Sequence, residues 1–268
     1  MSTTQNQLSL SLRYERKFAA DGLAPAQVLA MVRLHPSAFR ESYPARLVNN
    51  IYLDFAGLND YRDHISGAAI RSKTRVRWYG PQRGLIERPM LERKLKRGLA
   101  NTKETYALPA LSLDGMSVQS ALNRAFDRAG LPEMLRSFLR RLEPATANRY
   151  RRHYFVSADG RFRLTVDSEL QFIDAGPNNG AAAVPPVSAP VVIVELKFAP
   201  DSLGHAGLVI EALPFRLTRC SKYVLGIERM AALQPQATWA GANSFDSPLP
   251  EGVGTGFGHL GCRVSSVE

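Results

Sequence analysis

Between Ile70 and Tyr79 four cations, Arg71, Lys73, Arg75 and Arg77, fall at every second position, with Ile70, Thr74, Val76 and Trp78 on the alternate positions. A period of two is that of a β-strand, whose successive side chains point to opposite faces. This segment therefore presents one cationic face and one largely apolar face. The pattern returns along the chain: Glu15 and Lys17 alternate with Tyr14, Arg16 and Phe18, and Glu92, Lys94 and Lys96 with Leu91, Arg93 and Leu95. Arg161, Arg163, Thr165, Asp167 and Glu169 alternate with Phe162, Leu164, Val166 and Leu170, and Glu195 and Lys197 with Val194, Leu196 and Phe198. An ordinary half-buried sheet would turn such charges to water. Four cations at ~7 Å steps repel one another unless an anion sits among them. Apolar side chains point the other way on strand after strand, and the helical stretches Pro25–Leu34 and Ser117–Ala129 need an apolar partner. Helices on the outside of the sheet leave the charged face inside.

Eight strands are expected, at Leu8–Phe18, Leu47–Phe55, Ala69–Tyr79, Pro89–Lys96, Thr102–Ala107, Ala145–Val156, Arg161–Phe172 and Val191–Phe198. Further helices are expected at Pro132–Arg141, around His205–Leu213 and around Thr218–Leu233. The fold class is α+β, an eight-stranded antiparallel tunnel, closed as a barrel so that no strand edge is exposed, with helices packed outside. The Gly-, Pro-, Ala- and Asn-rich segment Ala175–Pro190 reads as a flexible loop. From Gln234 onward there are six glycines and no periodicity. One domain over residues 8–232 and a disordered tail over 233–268, with Trp239 and Phe245 docking loosely at most, are the expectation. No run approaches ~18 apolar residues and the start lacks the order of a signal peptide, which predicts a cytoplasmic protein without a membrane segment. Cys220 and Cys262 form no CxxC pair, so a zinc ribbon and a disulfide framework are excluded.

A charged lumen needs a guest, because each unpaired buried ion costs several kcal/mol. The net charge of +10 asks for an anionic one. Of the 34 basic residues, 27 are Arg, whose planar fork matches phosphate oxygens, although a codon bias would enrich Arg as well. Cations outnumber carboxylates on the inner face, so the natural ligand is a di- or triphosphate. The carboxylates suit a hard divalent cation, Mg²⁺ or Mn²⁺, that bridges to phosphate oxygens. Together these define phosphoryl-transfer chemistry. A nucleic-acid module would instead want exposed aromatics interleaved with the cations along a groove, so no nucleic-acid partner is expected.

The ordered series ERKF (15–18), IYLDF (51–55), TRVRWYG (74–80), LERKLKRG (91–98), TKETY (102–106), RYRRHYF (149–155), FRLTVDSEL (162–170), VIVELKF (192–198) and SKYVLG (221–226) resembles the VTC domain, the polyphosphate polymerase domain of the triphosphate tunnel metalloenzyme superfamily. The resemblance implies an eight-stranded tunnel open at both ends. It implies transfer of the ATP γ-phosphate onto a growing polyphosphate chain, with Mn²⁺ or Mg²⁺ held by tunnel carboxylates. Carried over by motif, Lys17, Arg75, Arg77, Lys94, Arg163 and Lys222 look like catalytic phosphate-handling residues, and Lys103, Arg149, Arg152 and Ser221 look like substrate-binding ones. Lys222 would sit on a closing helix and reach the tunnel mouth. Glu195 and Glu15 look like the metal ligands, with Glu92 and Glu169 as weaker candidates. Many tunnel enzymes begin with Glu-x-Glu-x-Lys, whereas Tyr14-Glu15-Arg16-Lys17 offers one carboxylate before the lysine. The membrane-spanning and SPX extensions of the eukaryotic complex do not occur in this sequence, which looks like a free-standing bacterial form. His153 is the one strand histidine able to approach the lumen, and it could equally face outward. Trp78 and Tyr79 are expected to anchor the outer core. A tunnel-type triphosphatase, acting on inorganic or nucleoside triphosphate, and a non-catalytic polyphosphate binder remain as alternatives.

Overall fold

The computed structural model describes residues 13–98, 100–175 and 185–233. In chain order the elements are β1 (Tyr14–Asp21), α1 (Pro25–Arg33), β2 (Arg40–Asp54), α2 (Asn59–Ser66), β3 (Ile70–Tyr79), β4 (Leu85–Ile86), β5 (Met90–Arg97), β6 (Ala100–Ala107) and β7 (Leu111–Ser112). They continue with α3 (Val118–Arg128), α4 (Glu133–Leu139), β8 (Glu143–Val156), β9 (Phe162–Ile173), β10 (Val187–Ala189), β11 (Val191–Phe198), α5 (Leu203–Glu211), β12 (Arg216–Leu217) and α6 (Lys222–Leu233). The expected strand residues 8–12 and the expected tail from 234, with Trp239, Phe245 and Cys262, lie outside the described residues.

The structure is α+β, built on one large antiparallel sheet. Its order is β12-β1-β11-β9-β8-β2-β3-β5-β6, with β10 attached to β9, while β4 and β7 form a separate pair. Ten strands therefore replace the eight expected, and among the described residues the path of ladders ends at β12 and β6 rather than returning on itself. The two extra strands, β10 and β12, are only three and two residues long, too short to show a period. Residues 187–189, expected within a flexible loop, instead pair antiparallel with β9.

The sheet curls about its charged face. Lys94 on β5 feels the charges of Glu15 and Lys17 on β1 and of Glu195 and Lys197 on β11, although four strands lie between β5 and β11 in the sheet order. Outside the curl, two apolar cores form. In one, Val28 and Val32 of α1 and Ala206 and Val209 of α5 meet Phe18, Phe155, Leu164 and Val194. In the other, Leu122 and Phe126 of α3 and Leu135 and Leu139 of α4 meet Ile51, Val76 and Leu91. Each such buried aliphatic side chain contributes about 1.5–3 kcal/mol by leaving water.

Local chemistry sets the helix starts. α1 begins with Pro25 in its first turn, where the missing N–H is harmless, and Gln27 Oε1 accepts from the Ala24 N–H at 2.8 Å. α3 is capped by Ser117, whose hydroxyl oxygen accepts from Ser120 N at 3.2 Å.

Two elements depart from the outside-helix plan. α6 packs on the inner face, its Leu225 and Met230 against Val48, Tyr150, Phe172 and Ile193, and its Tyr223 and Ile227 against Tyr52. Gly226 permits that approach, since a Cβ there would meet Phe172 at 2.9 Å and Thr146 Oγ1 at 3.0 Å. The other is α2, a helix that periodicity does not announce, because NDYRDHIS holds only Tyr61 and Ile65 as large apolar residues. Its start is fixed from a distance by Asp54, whose carboxylate accepts from Asp60 N at 3.0 Å and Tyr61 N at 2.9 Å. These N–H groups would otherwise lack a partner at a helix start.

A candidate phosphate site on the inner face

Inward-facing carboxylates sort the cations into three clusters. On β1 and β11 the register pairs Lys17 with Glu195 and Glu15 with Lys197. Lys17 lies 3.0 Å from Glu15, and Lys197 lies 2.5 Å from Glu195 and 3.9 Å from Glu15. Burial opposes the charge on Lys17, but Glu195 and Glu15 outweigh it and hold the ammonium above the ordinary lysine range. Burial likewise pushes Glu195 up, and Lys197, Lys17 and Arg152 together hold it well below the usual carboxylate range.

At the centre, Asp167 is fully buried and takes a two-pronged contact from Arg152, at 2.6 and 2.7 Å, plus Lys222 Nζ at 2.6 Å. Burial raises its pKa, and Arg152 and Lys222 overcome that to bring it to about 2. Both cations also lie over the Tyr150 ring, Lys222 at 4.8 Å and Arg152 at 5.3 Å from its centroid. The third cluster is on β3, β5 and β6, where Glu92 accepts from Arg75 at 2.5 and 2.8 Å and from Lys103 at 2.8 Å. Arg77 lies 3.7 Å from the same carboxylate and donates from Nε to Asn50 Oδ1 at 2.8 Å.

Some inward cations have no carboxylate. Lys73 donates to Ser221 Oγ at 2.8 Å, and burial, reinforced by Lys17, Arg75 and Lys94, holds it well below the ordinary lysine range. Burial also lowers Lys94, with Lys17 adding repulsion. Neither Lys94 nor Arg163, the direct neighbour of Lys197 in the register, has an ion-pair partner among the described residues. This surplus positive charge on the inner face is what an anion would neutralise.

The structure brings Lys17, Arg75, Arg77, Lys94, Lys103, Arg152, Arg163, Glu15 and Glu195 to one face, and α6 adds Ser221 and Lys222. Arg149 is not among them. It lies between Asn148, which accepts a hydrogen bond from Asn50, and Tyr150, which contacts Arg77, so strand alternation sends Arg149 to the opposite face. Glu169 is also removed from the inner set: it is an extra residue with φ of 54°, at the register shift between β8 and β9, and it pairs with Arg151 at 2.9 Å. His153, between Arg152 and Tyr154, faces outward by the same alternation. Tyr79 continues the inward row of Arg75 and Arg77 rather than joining the outer core that holds Trp78. Lys222 is on the inward helix, but it is held at the central Asp167 rather than at a mouth.

Sequence reasoning passed over Asp167 and Lys73 as partners, though both stand in the alternating rows. Tyr223 and Asp54 carried no such signal. Tyr223 donates its hydroxyl to Asp54 Oδ2 and packs on Tyr52 at 5.2 Å, which fixes the start of α6 next to Ser221 and Lys222. His64, on the unforeseen α2, approaches the same ring at 6.4 Å. Burial, helped by Lys73, pushes its pKa down to about 3.

Glu15 and Glu195 are adjacent and face inward, and their mutual repulsion is held in check by Lys17 and Lys197. Among the described residues no group of three or more ligating side chains forms a metal cage. Two carboxylates nevertheless fit Mg²⁺ or a similar ion, which uses one or two carboxylates and takes its remaining oxygens from water and substrate phosphates.

The sequence model of the family described as VTC domain matches residues 12–231. The chain belongs to the VTC domain family. A comparison with curated proteins returns no match. Among solved structures, this VTC domain is similar to a protein of Pyrococcus horikoshii OT3, at 12% identity and a TM-score of 0.47 over 81% of this chain and 99% of that one. It is also similar to a candidate adenylate cyclase of Vibrio parahaemolyticus, at 12% identity and a TM-score of 0.43 over 79% and 95% of the two chains. A further candidate adenylate cyclase, from Bacillus halodurans, matches at 13% identity and a TM-score of 0.41 over 75% and 87%. Among the described residues of the VTC domain, no helix is long and apolar enough to cross a membrane.

Proposed function

We propose that the curled sheet forms a basic tunnel for metal-dependent phosphoryl transfer, and that the reaction is polyphosphate synthesis, with the ATP γ-phosphate passed to the end of a polyphosphate chain. The observation that carries this reading is the inward convergence of Lys17, Arg75, Arg77, Lys94, Arg152, Arg163 and Lys222 from separate strands and a helix, in excess of the carboxylates beside them. Family membership supports the same chemistry.

In this reading the strand cations bind phosphate oxygens along the tunnel. Arg75, Arg77 and Arg152 present planar forks to adjacent phosphates. The carboxylates that now hold them, Glu92 and Asp167, keep the forks oriented before substrate arrives, so little reorganisation is needed as charge builds on the transferred group. Lys222, next to Arg152 on the same carboxylate, is placed to stabilise that charge. Glu15 and Glu195 would hold the Mg²⁺ or Mn²⁺ ion, with Lys17 and Lys197 released toward phosphate. The metal supplies Lewis-acid neutralisation of phosphate oxygens. Ser221 accepts from Lys73 and orients it rather than acting as a nucleophile, because among the described residues no histidine or aspartate is hydrogen-bonded to its hydroxyl.

The deciding experiment incubates the purified protein with γ-labelled ATP and either Mg²⁺ or Mn²⁺ and separates the products on a gel. A ladder of lengthening polyphosphate supports synthesis. Free phosphate alone would replace synthesis by triphosphate hydrolysis, and the absence of both products would leave a binding protein.

A further inference from the structure

We propose that one mouth of the inner face carries a nucleobase-stacking collar, built from Tyr43, Tyr79, Tyr154 and Arg46, which lets the site take a nucleoside triphosphate in preference to bare triphosphate. The inference rests on the phosphate-tunnel reading above and adds a second subsite to it.

Arg46 is exposed, and its guanidinium carbon stands 5.8 Å from the Tyr43 ring centroid, 5.6 Å from that of Tyr79 and 5.8 Å from that of Tyr154. Tyr43 and Tyr154 meet edge to face at 5.9 Å. Arg46 has no carboxylate partner among the described residues and stands against these three rings. Tyr43 is 61% exposed and Tyr79 47%, an unusual outlay of aromatic surface for a strand end with no core to join. Both rings leave surface open to solvent on which a planar base can stack, and an arginine can stack on or pair with the same ligand.

The collar is also in the right place. Tyr79 is the inward position after Arg77 on β3, and Tyr154 is the inward position after Arg152 on β8, so each ring lies one ~7 Å strand step beyond a phosphate-binding arginine. Arg46 is the register partner of Arg152. The opposite end of the same face is filled by α6, through Tyr223 on Tyr52 and Gly226 on Phe172. A triphosphate that reaches Lys222 with its terminal group therefore trails its nucleoside toward the collar. Arg46 is then free to meet the phosphate nearest the ribose.

The test is titration calorimetry of the intact chain with ATP and with inorganic triphosphate, at one salt concentration. Y43A/Y79A should weaken ATP binding roughly 5- to 150-fold, the range for loss of one base stack, and leave inorganic triphosphate within about twofold. Y43F/Y79F, which keeps both rings, should bind ATP as the wild type does and shows that the site tolerates change there. Unchanged ATP affinity in Y43A/Y79A, or an equal loss for both ligands, overturns the collar while the phosphate tunnel stands. A wild-type protein that binds neither ligand overturns the tunnel and the collar together.

Discussion

The two faces of the sheet hold together by opposite means. Outside, α1, α3, α4 and α5 bury aliphatic and aromatic side chains whose gain is non-directional and tolerates small shifts. Inside, Asp167, Glu92 and the Glu15–Glu195 pair each hold two or more cations within a few ångströms, so each carboxylate matters only through its specific partners. The outer face specifies the fold, whereas the inner one stores an arrangement of charge that an anion can take over. Breaking one should leave the function of the other measurable.

The largest effect is expected from D167A, which strands Arg152 and Lys222 as buried unpaired charges and should cost about 3–5 kcal/mol of stability. Because a bound triphosphate would replace the missing carboxylate, thermal melting should show much of the loss recovered on adding inorganic triphosphate. A loss that is unaffected by triphosphate would mean that Arg152 and Lys222 do not face the ligand. L122A, in the outer core, should cost about 2–5 kcal/mol by cavity formation and leave triphosphate affinity unchanged in calorimetry. A matching loss of affinity would deny that the faces are independent.

Y223F removes the hydroxyl that Asp54 accepts, a contact to a charged group worth about 1.5–3 kcal/mol. It should lower turnover, and the double variant Y223F/K222A should be no worse than K222A alone, as expected if Tyr223 acts by placing Lys222. Additive losses would separate the two residues. K94A removes a cation with no ion-pair partner among the described residues, so stability should hold or rise while triphosphate binding weakens roughly 10- to 150-fold, one charge-assisted contact. Chemical denaturation and calorimetry together check this.

A separate effect, absent at neutral pH, is a pH dependence. His64 has a folded-state pKa near 3, against an ordinary value of about 6.5, so the folded protein keeps the ring neutral. Stability from this group is complete above about pH 6.5 and is lost as the pH falls toward about 3, because the unfolded chain binds the proton more readily. H64Q should flatten the acid limb of a stability curve over that window. An unaltered limb would assign it to other groups.

Alternation made the inward rows of β1, β3, β5 and β11, and of β9 as far as Asp167, legible, because one parity of each is charged and the other largely apolar, with Arg16 and Arg93 as exceptions. It could not settle RYRR, where arginines occupy both parities and only the register against β2 decides that Arg152 faces in and Arg149 out. The short strands and α2 left too few apolar residues to show a period, and with α2 went the roles of Asp54 and His64. The partners of Asp167 were illegible for a different reason: they come from β8 and α6, 15 and 55 positions away, and pairing at that range depends on the finished curl.

The extra residue at Glu169 has a consequence for how β9 can vary. Before it, odd-numbered Arg163, Thr165 and Asp167 point inward with Leu164 and Val166 outward; after it, even-numbered Leu170 and Phe172 point inward onto α6. The strand changes phase at that point, so that its inward row offers charge to the middle of the inner face and apolar side chains to its end. Were Glu169 drawn into the regular ladder instead of bulging out of it, alternation after Asp167 would turn the whole Leu170–Ile173 segment inside out and leave α6 with polar Gln171 where Phe172 now meets Gly226.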